Sequence, residues 1–510
     1  MGQDYIQAEP KLGYRFTARV NERLEDITEG TPSATVKLRA WVVAPLLVIA
    51  AVVAIYLVVR FKTKPKLLRG SPAVALYQRA LDYERIGDDE QALTTLDQAI
   101  ALDSAYQPAC VRAAYVAYEL DEDRKAAGYL ARCRATESQD EVLRLKAQAL
   151  DQVLNGDSQR ALQIYKLLMD TYPRDTEGLY RFAELATTLD RIEEAEKAVR
   201  ECLAIDPEDP YCRFQSMYVK LKQNKFDDVL ADYKTLPAGA RDYPWFDEVV
   251  GMAQFGNGRL DEAVQTFEQL SKHQRKLHGT KHFTTGNELI ADVWLYEGRV
   301  KEATDRIKQL METHDNESDL GGYYVYLAQI HAALGDSEKA EQYANEAFRA
   351  DPETLTQAAL VLASVGNASK TEQLLQQDPN MAQNNKHLIR GVLSASKGDT
   401  ATGIEEIKLA YDFDPRDEEA AYQLGMAYLH AGDYRGALQM FQAVKNLKGT
   451  VLVDNVPLLW PLSLYRIAEC YERLGDAAAA KPYYSEVATI WTHADIDLRH
   501  KYPAINAQHK

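Results

Sequence analysis

Glycine and proline are scarce in these 510 residues, 27 and 18 respectively. Long stretches rich in Ala, Leu, Glu, Gln and Arg therefore run without breakers and favour helix. Cysteine is scarcer still. Cys110, Cys133, Cys202, Cys212 and Cys470 form no CxxC or mixed Cys/His spacing, and an odd, scattered set does not look like a disulfide framework. The chain also lacks a Gly-rich phosphate loop, HExxH, GxSxG and the protein-kinase signature. No enzyme is expected, and neither a cofactor nor a catalytic residue. His273, His278 and His282 lie in the basic run KHQRKLHGTKH, with no carboxylate or cysteine at ligand spacing. They read as a solvated helix end and loop, not a metal site.

What is present is apolar content and uneven charge. Apolar residues make up 46% of the chain, enough for a continuous core, which excludes wholesale disorder. Residues 1–70 hold 11 Lys/Arg against 6 Asp/Glu, whereas the remainder carries a net charge of −22. An acidic body of that size repels phosphate backbones, so residues 71–510 are not expected to bind nucleic acid.

Trp41–Val59, WVVAPLLVIAAVVAIYLVV, is uncharged and just long enough to cross a hydrocarbon core of about 30 Å as a helix. Forty residues precede it and RFKTKPKLLR follows, which argues for an anchor over a signal peptide. The twenty residues before the span hold three Lys/Arg and the twenty after it hold six. Taken alone, that bias places the following chain in the cytoplasm.

The strongest signal is an internal repeat. A turn residue is followed five positions later by a small one: Gly87/Ala92, Asp121/Ala126, Gly156/Ala161, Asp190/Ala195, Asn224/Val229, Gly258/Ala263, Gly298/Ala303, Gly335/Ala340, Gly398/Gly403, Gly432/Ala437 and Gly475/Ala480, with a degenerate member at Gly366. The turn-to-turn spacings are 34, 35, 34, 34, 34, 40, 37, 31, 32, 34 and 43. Most units carry another small residue seven positions before the turn, and several end in Pro. Each unit reads as two antiparallel helices whose small residues permit close approach, with a left-handed residue ending the first. Cys133 and Cys202 fall where a small buried residue is wanted. One unit cannot bury its own apolar face, so neighbours must stack. The longer connection KNLKGTVLVDNVPLLWP (445–461) is apolar and is expected to pack against the array.

This small–Gly–Ala–aromatic–Ala–Pro pattern at a 34-residue period resembles the tetratricopeptide repeat (TPR) family. The resemblance covers residues 73–494 in about twelve units. It implies an all-α, right-handed superhelical solenoid whose first helices line a concave groove that binds a protein or peptide. Carried over position by position, the groove candidates are Tyr77, Tyr180, Phe214, Tyr422 and Tyr465, with Tyr115 and Tyr218 one turn further on. The alternative is that these rings pack between repeats and merely reach the surface.

Tyr5–Val20 shows two short alternating runs around Pro10–Gly13, a plausible β-hairpin. Pro10, Lys11, Gly13, Tyr14, Arg15 and Phe16 resemble the wing that ends OmpR-type winged-helix DNA-binding domains. The expected organisation is a wing remnant (1–20), linker (21–40), transmembrane helix (41–59), basic juxtamembrane linker (60–72), solenoid (73–494) and C-terminal tail (495–510). The order wing, span, sensory domain in the membrane-anchored bacterial regulators it resembles implies an inner-membrane protein with a periplasmic solenoid, against the charge bias. Two functions follow: a membrane-anchored interaction scaffold or sensor, or a membrane-bound transcriptional regulator truncated at its DNA-binding end. DNA is a partner only if a winged-helix domain precedes Met1.

Overall fold

The computed structural model describes the strands Ile6–Glu9 and Gly13–Phe16 and residues 71–505, except 121, 136–139, 242, 279–284 and 314–316. The two strands pair antiparallel, with Ile6 opposite Phe16 and Glu9 opposite Gly13. Trp41–Val59 lies outside the described residues. Among those that are described, no helix is long and apolar enough to cross a membrane.

Residues 72–490 fold as twelve helix pairs, from Pro72–Arg85 with Asp89–Leu102 to Leu459–Arg473 with Ala477–Ile490. Short helices at Ala238–Arg241 and Lys448–Asp454 interrupt the series, and Ile496–Lys501 follows it. The turn inside each pair explains the period. Nine turn glycines have positive φ, from Gly87 (76°) to Gly475 (85°), and Asp190 (54°) and Asn224 (59°) adopt the same conformation with side chains. Asp121, the remaining turn position, lies outside the described residues. Asp tends to follow the turn glycine because it caps the next helix. Asp88 accepts from the Gln91 amide at 3.2 Å, Asp157 from Arg160 at 3.0 Å and Asp433 from Gly436 at 3.0 Å.

The small residues sit where two helices meet. Ala92, Ala161 and Ala195 are wholly buried. A Cβ on Gly425 would come within 2.8 Å of the Phe441 ring, and one on Gly251 would collide with the Phe267 ring. The aromatic of the second helix thus fills the space left by the small residue of the first.

The array also folds back on itself. The apolar connection contributes the helix Lys448–Asp454, which packs against the helices Pro210–Lys222 and Pro244–Gly256. Asn224, held in its left-handed turn, donates to the Asn446 carbonyl at 2.6 Å and accepts from the Gly449 amide at 2.6 Å. Lys448 donates to the Gly256 carbonyl at 2.8 Å, and Lys222 pairs with Asp454 at 2.5 Å. Residues 217–330 and 421–505 consequently share one hydrophobic cluster. The segment 491–505 packs with it: Trp491 donates to the Tyr296 carbonyl at 3.1 Å, Asp495 bonds Gly298 and Lys301, and Leu498, Tyr502 and Ile505 are buried.

The cysteine expectation is overturned. Cys110–Cys133 and Cys202–Cys212 are disulfides, with Cα separations of 5.9 and 6.2 Å, and Cys470 alone is free and buried. Cys133 and Cys202 occupy the same repeat position. That position faces both its own first helix and the next one, so Cys133 bonds within its pair and Cys202 bonds to the following pair. Linear spacing hides this, because one contact runs back along the chain and the other forward.

Two outcomes are expected. Ala195→Leu should overpack its pair by about 1–3 kcal/mol, read as faster amide exchange confined to residues 176–205 and their neighbours; unchanged protection would show that this helix contact is looser than described. Gly449→Ala should push the connection off Leu221, whose carbonyl lies against the Gly449 Cα. Solution scattering should then show a larger radius of gyration with helical circular dichroism retained.

Candidate functional site

The predicted ring positions lie on the first helices of six of the twelve pairs, and they do not form one surface. Tyr77, Phe214, Tyr218 and Tyr465 are half-buried, whereas Tyr115, Tyr180 and Tyr422 are 2%, 8% and 9% exposed. Tyr115 is a correction: its hydroxyl donates to the Lys146 carbonyl at 2.9 Å and shares a 2.7 Å bond with the Tyr165 hydroxyl. It therefore packs between repeats and offers no face to a partner. Tyr422 lies edge-on to Phe441, 5.5 Å between centroids, and Tyr465 lies between Tyr484 and Tyr502. Among these rings, Tyr180 and Phe214 line one cavity together.

That cavity, of about 170 Å³, lies where the first two pairs meet the fourth to sixth. Its wall is a ladder of rings. Tyr180 stacks on Tyr211 (5.3 Å, 18°), Tyr211 on Trp245 (5.6 Å, 9°) and Tyr243 on Trp245 (5.4 Å, 14°). The Trp245 indole donates to the Arg85 carbonyl at 3.4 Å, tying the sixth pair to the end of the first helix. Tyr211 and Trp245 were not among the sequence candidates, although a signal for them exists. Each directly follows a helix-opening proline, Pro210 and Pro244, and the two recur 34 residues apart.

Behind the rings runs an ionic network across the first four pairs. Buried Arg112 donates from Nε to both Glu84 oxygens at 2.9 and 2.7 Å and from Nη1 to Glu177 at 2.7 Å. Lys146 pairs with Asp175 at 2.9 Å and Glu177 at 2.6 Å, and Arg181 bridges Glu119 and Glu184. Burial alone would raise Glu177, but Lys146 and Arg112 hold it down at about 2. Glu84 moves the other way, because burial outweighs its guanidinium partner.

The first helices of the sixth and seventh pairs add acids without cations. Glu248 is pushed up to about 7 by burial and by Glu288, and Asp292 to about 7 chiefly by burial. The Tyr323 and Tyr326 hydroxyls donate to Glu288 and Asp292. A second cavity of about 230 Å³ near the other end has a more amide-rich lining, including Gln357, Ser396, Gln423, Asn455 and Arg466 beside Tyr422.

His273 Nδ1 stands 3.7 Å from Asp247, and His278 and His282 lie outside the residues whose side chains are described. Cys202, Asp209 and Cys212 bring three ligand atoms within 4.8 Å, but the disulfide leaves no thiolate there.

Comparison with known proteins bears on the repeats. Two tetratricopeptide repeat family models match, one over residues 176–209 and 322–354, the other over 74–103, 419–447 and 462–490. Each of those five segments is similar to a tetratricopeptide repeat. The chain is 24% identical over 323 residues to the TPR repeat-containing protein YpiA of Bacillus subtilis (strain 168), a match covering 56% of this chain and 75% of that one. Among solved structures, a tetratricopeptide repeat protein from Parabacteroides merdae ATCC 43184 aligns over 61% of this chain and all of its own, at 15% identity and a TM-score of 0.35. Yeast Tom70 aligns over 73% of this chain and 96% of its own, at 11% identity and a TM-score of 0.31.

The raised acids set a pH dependence. Folded Glu248 and Asp292 keep protons that the unfolded chain releases near its ordinary carboxylate values, so their contribution to stability is full below about pH 4 and is lost as pH rises through about 7. Amide protection in Pro244–Gly256 and Thr285–Tyr296, corrected for intrinsic rates, should be greater near pH 5 than near pH 8. Glu248→Gln with Asp292→Asn should flatten that difference, and a difference that survives both changes would place its origin elsewhere.

Proposed function

We propose that the chain is a membrane-tethered, non-enzymatic interaction scaffold or sensor whose tetratricopeptide solenoid holds a protein or peptide segment. One observation carries the binding half: the ring ladder Tyr180–Tyr211–Trp245 borders a cavity that none of the described residues fills. Aromatic faces beside an unfilled cavity suit an anchoring side chain of a partner. The uncharged run Trp41–Val59 supports the tether. Two disulfides support an oxidising compartment for the solenoid, which agrees with the periplasmic side that the wing resemblance implies and opposes the charge bias around the span.

A second reading has its own support. The match over Pro10–Phe16 and the pairing of Ile6–Glu9 with Gly13–Phe16 fit a wing. In that case the solenoid is the sensory part of a membrane-bound transcriptional regulator. In-frame codons upstream of Met1 that encode a helix-turn-helix would favour it.

The scaffold is tested by photo-crosslinking in cells. A crosslinking residue at Tyr77 or Tyr465 on the first helices should yield protein adducts, and one at solvent-exposed Lys197 on a second helix should yield few. Equal yields from the three positions would remove the groove reading. For the compartment, denatured protein taken directly from cells should react with maleimide once, at Cys470, and five times after reduction. Five reactive thiols without reductant would place the solenoid in a reducing compartment.

A further inference from the structure

The cavity bordered by the ring ladder has a charge imbalance that the repeat does not require. Four carboxylates line it, those of Glu84, Asp89, Glu119 and Glu184. Arg112 is engaged by Glu84 and is shared with Glu177, while Arg181 is divided between Glu119 and Glu184. Two guanidinium groups thus serve three of the four lining acids. Asp89 makes no ion pair among the described residues. It sits in the first turn of Asp89–Leu102, where the helix end favours its ionised form. Burial and the neighbouring Glu119 and Glu84 act against that, raising its proton affinity well above the ordinary carboxylate range. A cation entering the cavity would relieve this conflict.

Rings supply much of the remaining lining. Tyr211 stacks with both Tyr180 and Trp245, and Trp245 also with Tyr243, so their faces are turned to one another and they offer the cavity apolar ring atoms against which the methylene stem of a long cationic side chain can pack. At about 170 Å³ the cavity is smaller than the roughly 300–1,000 Å³ usual for whole small-molecule ligands and suits one long side chain. We infer that this cavity is a cation site taking the ammonium or guanidinium end of one lysine or arginine on a protein partner, an inference that rests on the scaffold reading above. Asp89 would supply the countercharge for the head, and Tyr211 and Trp245 the apolar surface along which the stem lies. The half-buried acids Glu248, Glu288 and Asp292 on the next first helices would favour a partner segment with further basic residues.

The test titrates the full chain with a fluorescent decapeptide of alternating lysine and serine, the matching glutamate–serine peptide, and n-butylammonium. The lysine peptide should bind, and raising salt should weaken it mainly through the association rate. The glutamate peptide should not bind. Asp89→Asn leaves the capping Asp88 in place and should weaken the lysine peptide at least about tenfold while circular dichroism is unchanged; Trp245→Leu should weaken it comparably. Binding that is equal in wild type and Asp89→Asn, or absent from both, would overturn the cavity assignment. Butylammonium binding as tightly as the peptide would make this a small-amine site and overturn the partner side chain as its source. Crosslinks from Tyr465 that persist in Asp89→Asn after either overturning result would leave the scaffold standing, whereas loss of crosslinks from every first-helix position in the wild type would remove the scaffold itself.

Discussion

Everything in this solenoid depends on one packing constraint: two helices joined by a left-handed turn cannot bury their own apolar face. The first helix must come close enough to the second for an aromatic such as Phe267 or Phe441 to fill the gap opposite Gly251 or Gly425. The outer side of each pair must then be covered by the next. Closing the chain of pairs leaves the first helices on one side, and their side chains become the lining that a partner could meet. Chemistry at the lining is therefore free to vary, whereas chemistry at the turn is not.

That division explains what was legible in the sequence. The turn residues and the small residues that pair with them answer to local geometry, so Gly87, Asp190 and Asn224 could be placed from spacing alone, and the structure puts each in the left-handed conformation. The rings were legible only as a register. The same offset yields half-buried Tyr77 and buried Tyr422, because burial depends on what the neighbouring pair, or the folded-back connection, places against it. Tyr115 was misplaced for the same reason: Tyr165 and the Lys146 carbonyl, contributed by the next pair, capture its hydroxyl. The disulfides were illegible because one repeat position can bond backward or forward. Tyr211 and Trp245 were the avoidable omission, since proline followed by an aromatic recurs after one full period.

The ionic network behind the ladder requires a different account from the apolar packing. Buried ion pairs seldom add net stability over apolar residues of similar shape, yet removing one partner is costly. Arg112 joins Glu84 of the first pair to Glu177 of the fourth, and Lys146 of the third holds the same Glu177. A shared acid of this kind fixes the registration of four pairs, which apolar contacts between only nearest neighbours would leave free to flex. Registration matters for a cavity assembled from pairs one, two, four, five and six, because a small change in superhelical twist would open or close it.

The fold-back applies the same logic at the other end. A purely sequential array has contacts only between neighbours and bends easily, but Asn224 and Gly449 tie the fifth pair to the connection before the twelfth, more than two hundred residues away. This contact requires a residue without Cβ at position 449 and a left-handed residue with a two-ended amide at position 224. Glycine at 224 would satisfy the turn as well as it does at Gly87 or Gly258, yet could make neither hydrogen bond. Asparagine there breaks the glycine preference of the turns and is best explained by the long-range tie. The local rule was bent where the global shape required it, so a departure from the repeat consensus is the most informative kind of residue in such a chain.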